Sequence, residues 1–573
     1  MINLALLAGT PMPLPARGRD PKDLDVPEIL RRFALVLADR TTAAREWETQ
    51  AEYLAPWKRG FLSDSGALTR PEGEKLTEHL FDSTALEAMD QLVGTLAANL
   101  VPKSMLWTRV VARDEALNKI DAAAEWFEEA SWRLHLGYAM SNFHAEVPEL
   151  VHEAPLFGTG AMLQEERERV YPGFNGFRFR ALPLARLALG QNADGEVDTA
   201  YRWFDVSAKA AVDKWGAAHV GDPVVTLARS APNAPVRFLH KICPRPGGEP
   251  GYGATRKPFA SYLVCLHSLK MALVSGYDEF PVQVWRWRRR ADAVYGRGLG
   301  ELVLPDVKTL NKAVELDLRG WSKDLDPPAV VEHDQVIGPV RSNAGGVTIV
   351  EPGHKVEWFT SGTRYEVNQI KIAEYQAKVR RILYADRLPP MDQNQKATAT
   401  EILARRELID QLMALPVGRC ESEALTKLNE RGLAMLLRAG ALPPLPPELE
   451  GAEIDFEYLG PLARVARLDE ALAIERFEAQ LAAKAQTWPE VIDLYDPDEG
   501  TRYGARVQGV PAKVLRSEAQ VRALRAAKGR RAMEAEADQA ALASAEGLGK
   551  VAPFVKAISP GGPLAALPAG TGA

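Results

Sequence analysis

The sequence predicts an α+β fold that is predominantly helical. Helical periodicity dominates before residue 158, alternating apolar and polar residues typical of β-strands fill the middle, and helical periodicity returns after residue 295. The chain has 573 residues, 46% of them hydrophobic, which is enough to bury a large core. We therefore expect a globular subunit built from several parts.

The charge balance limits the kinds of partner. Lysine and arginine number 70 against 76 aspartate and glutamate residues, giving a formal net charge of -6. A chain of this charge is not expected to hold nucleic acid tightly through a cationic coat. Cys243, Cys265 and Cys420 are far apart in sequence, which favours a reducing compartment and three small buried side chains without a disulfide.

Both ends of the chain lack the pattern of packed structure. Residues 1–27 begin with a short apolar run that no basic residue precedes and that prolines follow, which predicts a flexible N-terminal arm rather than a secretory signal. Residues 546–573 are rich in Gly, Pro and Ala, which predicts a disordered tail. No segment reaches 18 apolar residues, so no membrane partner is expected.

Helices are predicted from residue 28 to about residue 157. Apolar residues such as Ile29 and Trp47 recur at helical spacing between residues 28 and 57. A second helix begins in "DSTALEAMDQLVGTLAANLVP", where Thr84 and Glu87 match the S/T-x-x-E capping box. Two further helices are predicted over about 116–138 and 145–157.

A β-rich stretch follows these helices. The alternating runs "FRFRAL" and "VDTAYRWF" flank "NADGE", in which Asp194 and Gly195 supply a tight hairpin turn. The runs "VRFLHKI", "ASYLVCLHSLKMALV" and "FPVQVWRWRRR" predict further strands. The preceding helices and these strands together make up residues 28–300.

Two helices are predicted between residues 301 and 385, with short strands and turns over 326–363. Apolar residues lie on one side of the first helix, over 301–325, and such a stripe requires burial against neighbours. These residues are Val307, Leu310, Val314 and Trp321. The second helix is predicted over 364–385.

The stretch "LPPMDQNQKATATEILARREL" predicts a loop that is fixed at both ends. Pro389 and Pro390 cannot continue a preceding helix. Thr398 and Glu401 form a capping box that starts the next helix. Residues 386–397 therefore form a polar loop that is fixed at both ends, with one lysine between the prolines and the capping box. Such a loop suggests a contact surface.

The last third of the chain is predicted to be helical around one hinge. A long helix over 398–440 should be kinked by Pro416. Residues 441–459 combine the proline-rich hinge "LPPLPPELE" with the strand candidate "AEIDFEYLG". Ala-rich helices are predicted over 460–545.

No sequence motif requires catalysis. The phosphate-binding pattern G-x-x-x-x-G-K-[ST] and the nucleophile pattern G-x-S-x-G are absent, and the glycines of "GYGATRK" and "GRGLGE" are typical of turns. Glu149 and His152 match one half-site of a di-metal centre, with His144 nearby, but the sequence has no second half-site. We favour histidines without a metal, and predict no catalytic residue, metal or cofactor.

Cationic residues concentrate on the two helices that flank residues 326–363. They are Lys308, Lys312, Arg319 and Lys323 on the first helix, and Lys371, Lys378, Arg380, Arg381 and Arg387 on or just after the second. Two interpretations are equally supported: solvated faces with salt bridges to Glu315, Asp317 and Glu374, or a surface that meets DNA. Spacing alone does not decide between them.

The order of these pieces resembles the head-to-tail connecting (portal) proteins of short-tailed bacteriophages. The matching segments are "REWETQAEYLAPW", "LFDSTALEAMDQLVGTLAANLVP", "SNFH", "LFGTGAMLQEE", "YGRGLGELVLPDVKTLNK", "RLPPMDQNQKATATEILARRE", "LGPLARVARLDE" and "RVQGVPAKVLRSEAQVRALR". Each segment is a modest signal, and their order makes the resemblance specific. The first 27 residues and the Ala/Gly/Pro tail depart from it.

The resemblance implies a ring of about twelve copies around a central channel for double-stranded DNA. Each subunit would have a wing, a stem, a clip and a crown. The corresponding residues are 28–300 for the wing, 301–325 and 364–385 for the stem helices, 326–363 for the clip, 386–397 for the channel loop, 398–440 for a long kinked helix in the wing and channel wall, 441–459 for the hinge and strand, and 460–545 for the crown.

The resemblance also implies two sets of DNA contacts. The channel-loop set is Arg387, Gln393, Asn394, Gln395 and Lys396, and the stem candidates that face the channel are Lys308, Lys312, Arg319, Lys371, Lys378 and Arg381. Polar and cationic side chains there would contact phosphates without reading bases, so DNA would slide rather than stick.

Partners and location follow from the same resemblance. The clip would meet the large terminase during packaging and a tail adaptor protein afterwards, and the major capsid and scaffolding proteins are further partners. The protein would lie at the head-tail junction of the virion after assembly in the host cytoplasm. The alternative function is an ATP-driven DNA translocase or nuclease of the packaging machinery, which the missing phosphate loop disfavours. A host-cell scaffold protein without a ring is a third hypothesis.

Overall fold

A computed structural model describes most of the chain from residue 25 onward. The described residues are 2–3, 25–62, 75–167, 173–245, 257–325, 329–330, 349, 351–352, 357–358, 365–386, 413–459, 461–488, 490, 493, 495–508, 516 and 520–537. The chain divides into two compact units, Met1–Arg467 and Leu468–Ala573.

Helices make up most of the described residues, which confirms the prediction of a mainly helical α+β fold. The helices are α1 (Val26–Leu54), α2 (Thr84–Leu100), α3 (Asp121–Ala139), α4 (Phe143–Phe157), α5 (Ala208–Trp215), α6 (Ala217–Val220), α7 (Asp222–Ser230), α8 (Leu299–Leu325), α9 (Tyr365–Ile382), α10 (413–438), α11 (Pro461–Ala485), α12 (Pro497–Gln508) and α13 (520–537).

The strands form antiparallel sheets. They are β1 (Ile2–Asn3), β2 (Thr108–Ala112), β3 (Thr159–Glu166), β4 (Phe177–Ala181), β5 (Leu187–Gln191), β6 (Val197–Ser207), β7 (Pro235–Pro244), β8 (Phe259–Cys265), β9 (Lys270–Tyr277), β10 (Val282–Arg286), β11 (Ala329–Val330), β12 (Glu357–Trp358) and β13 (Glu453–Tyr458). The strand orders are β1-β13-β2, β10-β3-β4 and β5-β6-β7-β8-β9, and β11 pairs with β12.

The hairpin at "NADGE" is confirmed, with one change of partner. Strands β5 and β6 pair through a turn in which Gly195 has φ +74°, a conformation that favours glycine. The Asn192 side chain accepts the backbone N–H of Asp194 and of Glu196 at 3.0 and 2.8 Å. The run "FRFRAL", expected on one side of this turn, instead forms β4 and pairs with β3 in another sheet.

The core of the first unit is aromatic and includes buried polar links. The ring of Tyr138 on α3 lies 4.9 Å from that of Phe143 on α4, measured between centroids. The Tyr138 hydroxyl donates to Asn429 Oδ1 of α10 at 3.0 Å, and Asn429 Nδ2 donates to Thr108 Oγ1 of β2 at 3.1 Å. Because all three polar groups are buried, this chain of hydrogen bonds fixes α10 against α3 and β2.

The three cysteines are buried and free, as the sequence predicted. Cys243 and Cys265 lie in neighbouring strands β7 and β8, and Cys420 lies in α10. Burial raises the pKa of the Cys243 and Cys420 thiols, which keeps these side chains in their neutral apolar form.

The start of α2 differs from the predicted capping box. Thr84 lies inside the first turn and is buried, so it does not cap the helix. The Asp82 carboxylate accepts the backbone N–H of Thr84 at 3.0 Å, and the Ser83 hydroxyl donates to Glu87 at 2.6 Å. The polar residues of "DSTALE" thus act one or two positions earlier than predicted, because Thr84 packs into the core. The second predicted capping box, at Thr398 and Glu401, lies outside the described residues.

The irregularity of α10 also differs from the prediction. Residues 413–438 are continuously helical through Pro416, and the departure from α geometry is a π-helical turn at Cys420–Leu425. The indole N–H of Trp285 donates to the Pro416 carbonyl at 3.2 Å, and Glu423 in the π turn accepts hydrogen bonds from Arg286. Tertiary contacts with β10 therefore fix this irregularity, which sequence alone placed at the proline.

Short helices within the β-rich stretch were not predicted. Helices α5, α6 and α7 cover a second hydrophobic cluster against β7, in which Ala208, Val220 and Val224 are buried around Phe238. Each helix is short, so its apolar residues do not repeat often enough to indicate a helix. At the other end of the chain, the two residues of β1 pair with β13, within the segment predicted to be a flexible arm.

In the described part of the C-terminal helices, several large apolar side chains are exposed. Phe477, Trp488 and Met533 are exposed, and Asp498 of α12 forms two hydrogen bonds with the Arg525 guanidinium of α13, at 2.5 and 2.7 Å. Helices therefore lie within residues 460–545, as the Ala-rich sequence predicted.

Backbone contacts join the end of α4 to the segment before α8. The Gly158 carbonyl accepts the backbone N–H of Trp287 at 2.9 Å, and the Gly296 N–H donates to Thr159 Oγ1 at 2.9 Å. Gly158 itself ends α4 with φ +92°. The sequence "FGTG" is thus held directly against "GRGLG".

The close approach of the two backbone segments requires glycine at this junction. A Cβ atom on Gly298 would lie 2.3 Å from the Leu156 carbonyl oxygen, and one on Gly300 would lie 2.5 Å from the same atom. Both distances are far below van der Waals contact, and the obstacle is backbone that cannot rotate away. The glycines of "GRGLGE" therefore serve close packing of α8 on α4. We call Leu156–Gly160 and Gly296–Gly300 the glycine junction.

Replacing Gly298 with alanine should destabilise the protein. The new methyl group meets backbone atoms, so the Gly298→Ala variant should lose about 1–3 kcal/mol of stability. Gly94→Ala is the control, because a Cβ there meets nothing within 4 Å and the position is inside α2, where alanine favours helix by about 0.5–1 kcal/mol. Calorimetry should show opposite shifts of the melting temperature, and equal shifts would contradict the junction.

Candidate functional site

Helices α8 and α9 form an antiparallel pair anchored on the rest of the first unit. Across the pair, Lys378 Nζ lies 2.6 Å from Asp306 Oδ1, and Asn368 Nδ2 donates to Asp317 Oδ1 at 3.3 Å. Helix α8 also packs on α1 and α4, and α9 packs on α2. With 27 residues, α8 extends for about 40 Å.

The buried amide of Asn311 fastens α8 to the segment before α2. Its Nδ2 donates to the His79 carbonyl at 2.9 Å, and its Oδ1 accepts the Phe81 N–H at 2.6 Å. On α9, Gln376 donates to Asp82 at 2.8 Å. Specific hydrogen bonds thus hold the N-terminal half of α8 and the C-terminal half of α9, which we call the inner half of the pair. The apolar side chains Val307 and Val379 are buried there.

Two of the cations predicted on α8, Lys312 and Arg319, have a carboxylate partner within the subunit. Lys312 Nζ lies 2.9 Å from Glu315 Oε2, and Arg319 Nη2 lies 2.5 Å from Glu315 Oε1. The hydrogen bond from Lys312 lowers the pKa of Glu315, which keeps that carboxylate ionised. Lys308 has no carboxylate partner among the described residues; its ammonium lies 5.3 Å from the ring centroid of Tyr53 on α1.

Three of the cations predicted on α9, Lys371, Lys378 and Arg381, are paired as well. Lys371 lies 3.0 Å from Glu374, and this hydrogen bond raises the pKa of the lysine. Lys378 bonds Asp306 of α8, and Arg381 Nε lies 4.0 Å from an oxygen of Asp386. The salt-bridge interpretation therefore describes the contacts inside one subunit. Glu315 and Glu374 act as that interpretation predicted, whereas Asp317 accepts from Asn368 instead of from a cation.

Three cations of the helix pair, Lys308, Lys323 and Arg380, have no ionic partner among the described residues. Lys323 lies near the end of α8 and Arg380 on α9, and both are exposed. Neither was among the six stem residues singled out from the sequence, because spacing does not reveal which cations are neutralised. The channel-loop residues Arg387, Gln393, Asn394, Gln395 and Lys396 lie outside the described residues.

The outer half of the pair exposes large apolar side chains. Trp321 is 58% exposed and Ile370 is 60% exposed, and Leu316 and Leu318 are also exposed. The predicted apolar stripe is confirmed at Val307 and Leu310, but it is wrong for Trp321 within one subunit. Trp321 lies one turn beyond the contact between Asp317 and Asn368, where α9 no longer covers α8. Exposed apolar residues in such number are typical of a surface that another chain covers.

Of the half-site residues, Glu149 is engaged in an ion-pair network with Lys58, whereas the buried His152 has no hydrogen-bond partner among the described residues. The Lys58 ammonium bonds the Glu149 carboxylate and lies 3.3 Å from Glu153 Oε1. Glu153 is buried and accepts the Leu184 N–H at 2.9 Å, and burial raises its pKa. The Glu149 carboxylate therefore neutralises a lysine. Within the described ranges, no group of three or more His, Cys, Asp or Glu side chains is placed to hold a metal ion.

His152 is neutral in the folded protein. Burial, and secondarily the Lys58 charge, lower the pKa of its imidazole from 6.5 to about 4. Its ring lies 6.0 Å from that of Trp57 in an edge-on contact.

Across the described part of the chain, no helix combines the length with the hydropathy that spanning a bilayer requires.

Comparison with known proteins shows that the sequence is similar to phage proteins. The family model "Bacteriophage head to tail connecting protein" matches residues 26–515. The "Probable portal protein" of Bordetella phage BPP-1 is 25% identical over 537 residues, covering 90% of this chain and 92% of that protein. The "Portal protein" of Salmonella phage epsilon15 is 23% identical over 532 residues, covering 91% of this chain and 94% of that protein.

Acidification should destabilise the protein through His152. The unfolded imidazole, with a pKa of 6.5, binds a proton below that pH, whereas the folded one does so only near pH 4. Stability from this group is therefore present above pH 6.5 and lost as the pH falls toward 4, by about 2 kcal/mol between pH 7 and pH 5. In calorimetry, His152→Gln should show a smaller drop in melting temperature over this range than the wild type.

The exposed His219 supplies the control for this measurement. His219→Gln should keep the wild-type pH dependence, because its ring is not buried. If His152→Gln and the wild type lost equal stability between pH 7 and pH 5, the burial of a neutral imidazole would be the wrong explanation.

Proposed function

Because the chain belongs to the bacteriophage head to tail connecting protein family, we propose that it is a portal subunit, of which about twelve copies close into a ring around double-stranded DNA at one capsid vertex. The observation that carries the proposal is the unbroken family match over residues 26–515, which includes both helices of the pair. Two portal proteins that each align over at least 90% of this chain support the same assignment. The resemblance inferred from the sequence motifs is thereby confirmed.

In the proposed ring, α8 and α9 form the stem. Their inner ends are anchored on the subunit's own wing by Asn311 and Gln376, and their outer ends expose apolar side chains that a neighbouring copy can cover. Repeating one such interface in a head-to-tail sense closes a ring when the rotation per subunit divides a full turn. The exposed apolar surface is thus the feature that supports assembly.

The charge arrangement of the stem suits a channel through which DNA slides. The cations of Lys312, Lys371 and Lys378 are offset by carboxylates, which leaves a surface of alternating sign. A continuous cationic lining would release many counterions and hold DNA firmly, whereas an offset lining holds it weakly. Lys308, Lys323 and Arg380, which no carboxylate offsets among the described residues, then provide the attraction to phosphates in the described part of the stem.

The channel loop is proposed over residues 386–397. Arg387, Gln393, Asn394, Gln395 and Lys396 would contact the phosphate backbone, which carries no sequence information. Residues 326–363 would form the clip, which meets the large terminase and later a tail adaptor. Residues 460–545 would form the crown, and the major capsid and scaffolding proteins would hold the ring at the head-tail junction.

The proposed role is structural, without catalysis. The sequence has no phosphate-binding loop, and the half-site carboxylate Glu149 is bonded to Lys58. ATP turnover by the purified protein without a terminase would contradict this part of the proposal and favour a translocase.

Electron microscopy of the purified protein tests the ring. Negative-stain images should show annular particles with a central hole. Mass photometry should give a mass about twelve times the 62.8 kDa of one chain. Compact monomers at all concentrations would overturn the proposal.

Trp321 should contribute more to the ring than to the subunit. Since its indole is exposed in one subunit, Trp321→Ala should change the stability of the subunit by no more than about 0.5 kcal/mol. A tryptophan buried at an interface contributes about 2 kcal/mol or more, so the concentration at which rings dissociate should rise more than tenfold. Mass photometry over a dilution series measures this concentration.

Leu273 gives the matched control for Trp321, since it is exposed on β9 and away from the helix pair. Leu273→Ala should leave the ring population unchanged. An unchanged ring population in the Trp321→Ala variant would place the indole outside the interface.

Lys396→Ala should impair DNA packaging while leaving ring formation intact. The change removes one cation from every subunit, a full belt of charge around a closed ring. The effect should weaken as salt rises, because the contact is electrostatic and the Debye length is about 8 Å at physiological ionic strength. Packaging by the purified terminase and retention of packaged DNA measure the effect.

Two further variants separate charge from geometry in the loop. A Gly/Ser replacement of residues 393–396 removes all polar contacts, and Thr398→Ala should cost about 1 kcal/mol of helix stability without changing the charge. Wild-type packaging and retention in both the Lys396→Ala and the Gly/Ser variants would show that the loop only connects two helices.

A further inference from the structure

A cleft of about 230 Å³ lies between the wing strands and α10. One wall is formed by Val282 and Val284 of β10, with Val197 at the start of β6. The opposite wall is the π turn of α10, which presents Ser422 and Glu423. All of these residues belong to the first unit.

In one part of the cleft wall, the charges of Arg286 and Glu423 are already paired with each other. Arg286 is only 4% exposed, and its Nε and Nη2 bond the Glu423 carboxylate at 3.1 and 2.9 Å. Its Nη1 donates to the Gly195 carbonyl at 3.2 Å. Because both the guanidinium and the carboxylate are engaged, this pair is part of the frame and leaves ligand binding to other groups.

Arg289 differs from Arg286 because no carboxylate pairs with it among the described residues. Its guanidinium lies against Gly195, where a Cβ atom would come within 1.9 Å of Nη2. Its Nε is buried and has no hydrogen-bond partner in the described structure. A buried N–H without a partner costs free energy. Arg289 as a whole is only half-buried and lines the cleft, so its guanidinium can meet an acceptor that enters there.

The charges that line the cleft sum to one positive charge. Arg286, Arg289 and Lys427 supply three cations, and Glu196 and Glu423 supply two carboxylates. Lys427 and Glu196 offset each other, with Nζ and Oε1 3.7 Å apart. The unmatched charge is therefore that of Arg289, whose planar guanidinium binds an oxyanion in a two-pronged fashion.

The size and the apolar wall decide which oxyanion fits. Ligand pockets for small molecules are usually about 300–1,000 Å³, so this cleft has room for about one side chain. The three valines offer contact to methylene groups, which a glutamate side chain has and a hydrated phosphate lacks. We propose that the cleft binds an acidic peptide segment, with a glutamate carboxylate on Arg289 and its methylenes against the valines.

Saturation-transfer NMR on the full-length protein tests this proposal with defined probes. The peptide acetyl-Ala-Glu-Ala-amide should receive saturation, most strongly at the glutamate methylenes that face the valines. The matching glutamine peptide should give at least a fivefold smaller signal, and added NaCl should reduce the glutamate signal. Equal signals from the two peptides would overturn the proposal.

Variants place the binding at Arg289. Arg289→Gln should lower the glutamate signal at least fivefold, whereas Arg290→Gln, at an exposed neighbouring position, should leave it unchanged. Equal effects of the two changes would mean general attraction to a basic stretch and would overturn the proposal. Displacement of the peptide by inorganic phosphate at a lower concentration than by glutarate would overturn the assignment of a carboxylate ligand.

A second variant keeps the test decisive if Arg289→Gln fails to fold. Ser422→Glu places a carboxylate in the cleft from within the chain, so it should raise the melting temperature and abolish peptide binding. Unchanged peptide binding by a folded Ser422→Glu protein would count against the cleft. Peptide binding and ring formation are measured independently. Rings that do not bind the peptide would overturn this proposal alone, and peptide binding by a protein that forms no rings would overturn the proposed function alone.

Discussion

The backbone contact at the glycine junction is the constraint on which the arrangement of the helix pair depends. Gly298 and Gly300 bring the start of α8 so close to the Leu156 carbonyl that no side chain fits between them. Hydrogen bonds from Trp287 to Gly158 and from Gly296 to Thr159 close the same junction. Two backbone segments in contact cannot adjust by changing rotamers, so the direction in which α8 leaves the end of α4 is fixed. Helix α9 packs on α8 and α2 and is tied to Asp82 through Gln376.

A helix pair fixed at one end has two unlike halves. The inner half is buried on α1, α2 and α4 and tied by Asn311, while the outer half carries Trp321 and Ile370 in solvent. The charged residues of the pair mostly satisfy one another, as Lys378 does with Asp306. The surface that remains is apolar with balanced charge, which favours association with further protein and weak contact with a polyanion.

Buried polar contacts fix the position of α10 within the first unit. Asn429 accepts from Tyr138 and donates to Thr108, Glu423 accepts from Arg286, and Arg431 bonds Glu279 at 2.9 Å. Removing one partner of a buried ion pair costs about 3–5 kcal/mol because the other charge is left alone. Such contacts specify where α10 lies and in which rotation. The π turn sits where these contacts meet, so its side chains face β10, and the cleft beside Arg289 is one consequence.

The sequence by itself determined several of the long helices and a hairpin turn that the fold contains. Local periodicity predicted the helices over 28–57, 301–325 and 364–385, and turn chemistry predicted the hairpin at Gly195, because both signals reside in neighbouring residues. The ordered motifs were sufficient to identify the family. Only the tertiary structure decided which residues those elements bring together: that Thr84 is buried instead of capping α2, that the irregularity of α10 lies at Cys420–Leu425, and that Lys378 meets Asp306. Each of these depends on a partner far away in sequence, and spacing along one chain carries no information about that partner.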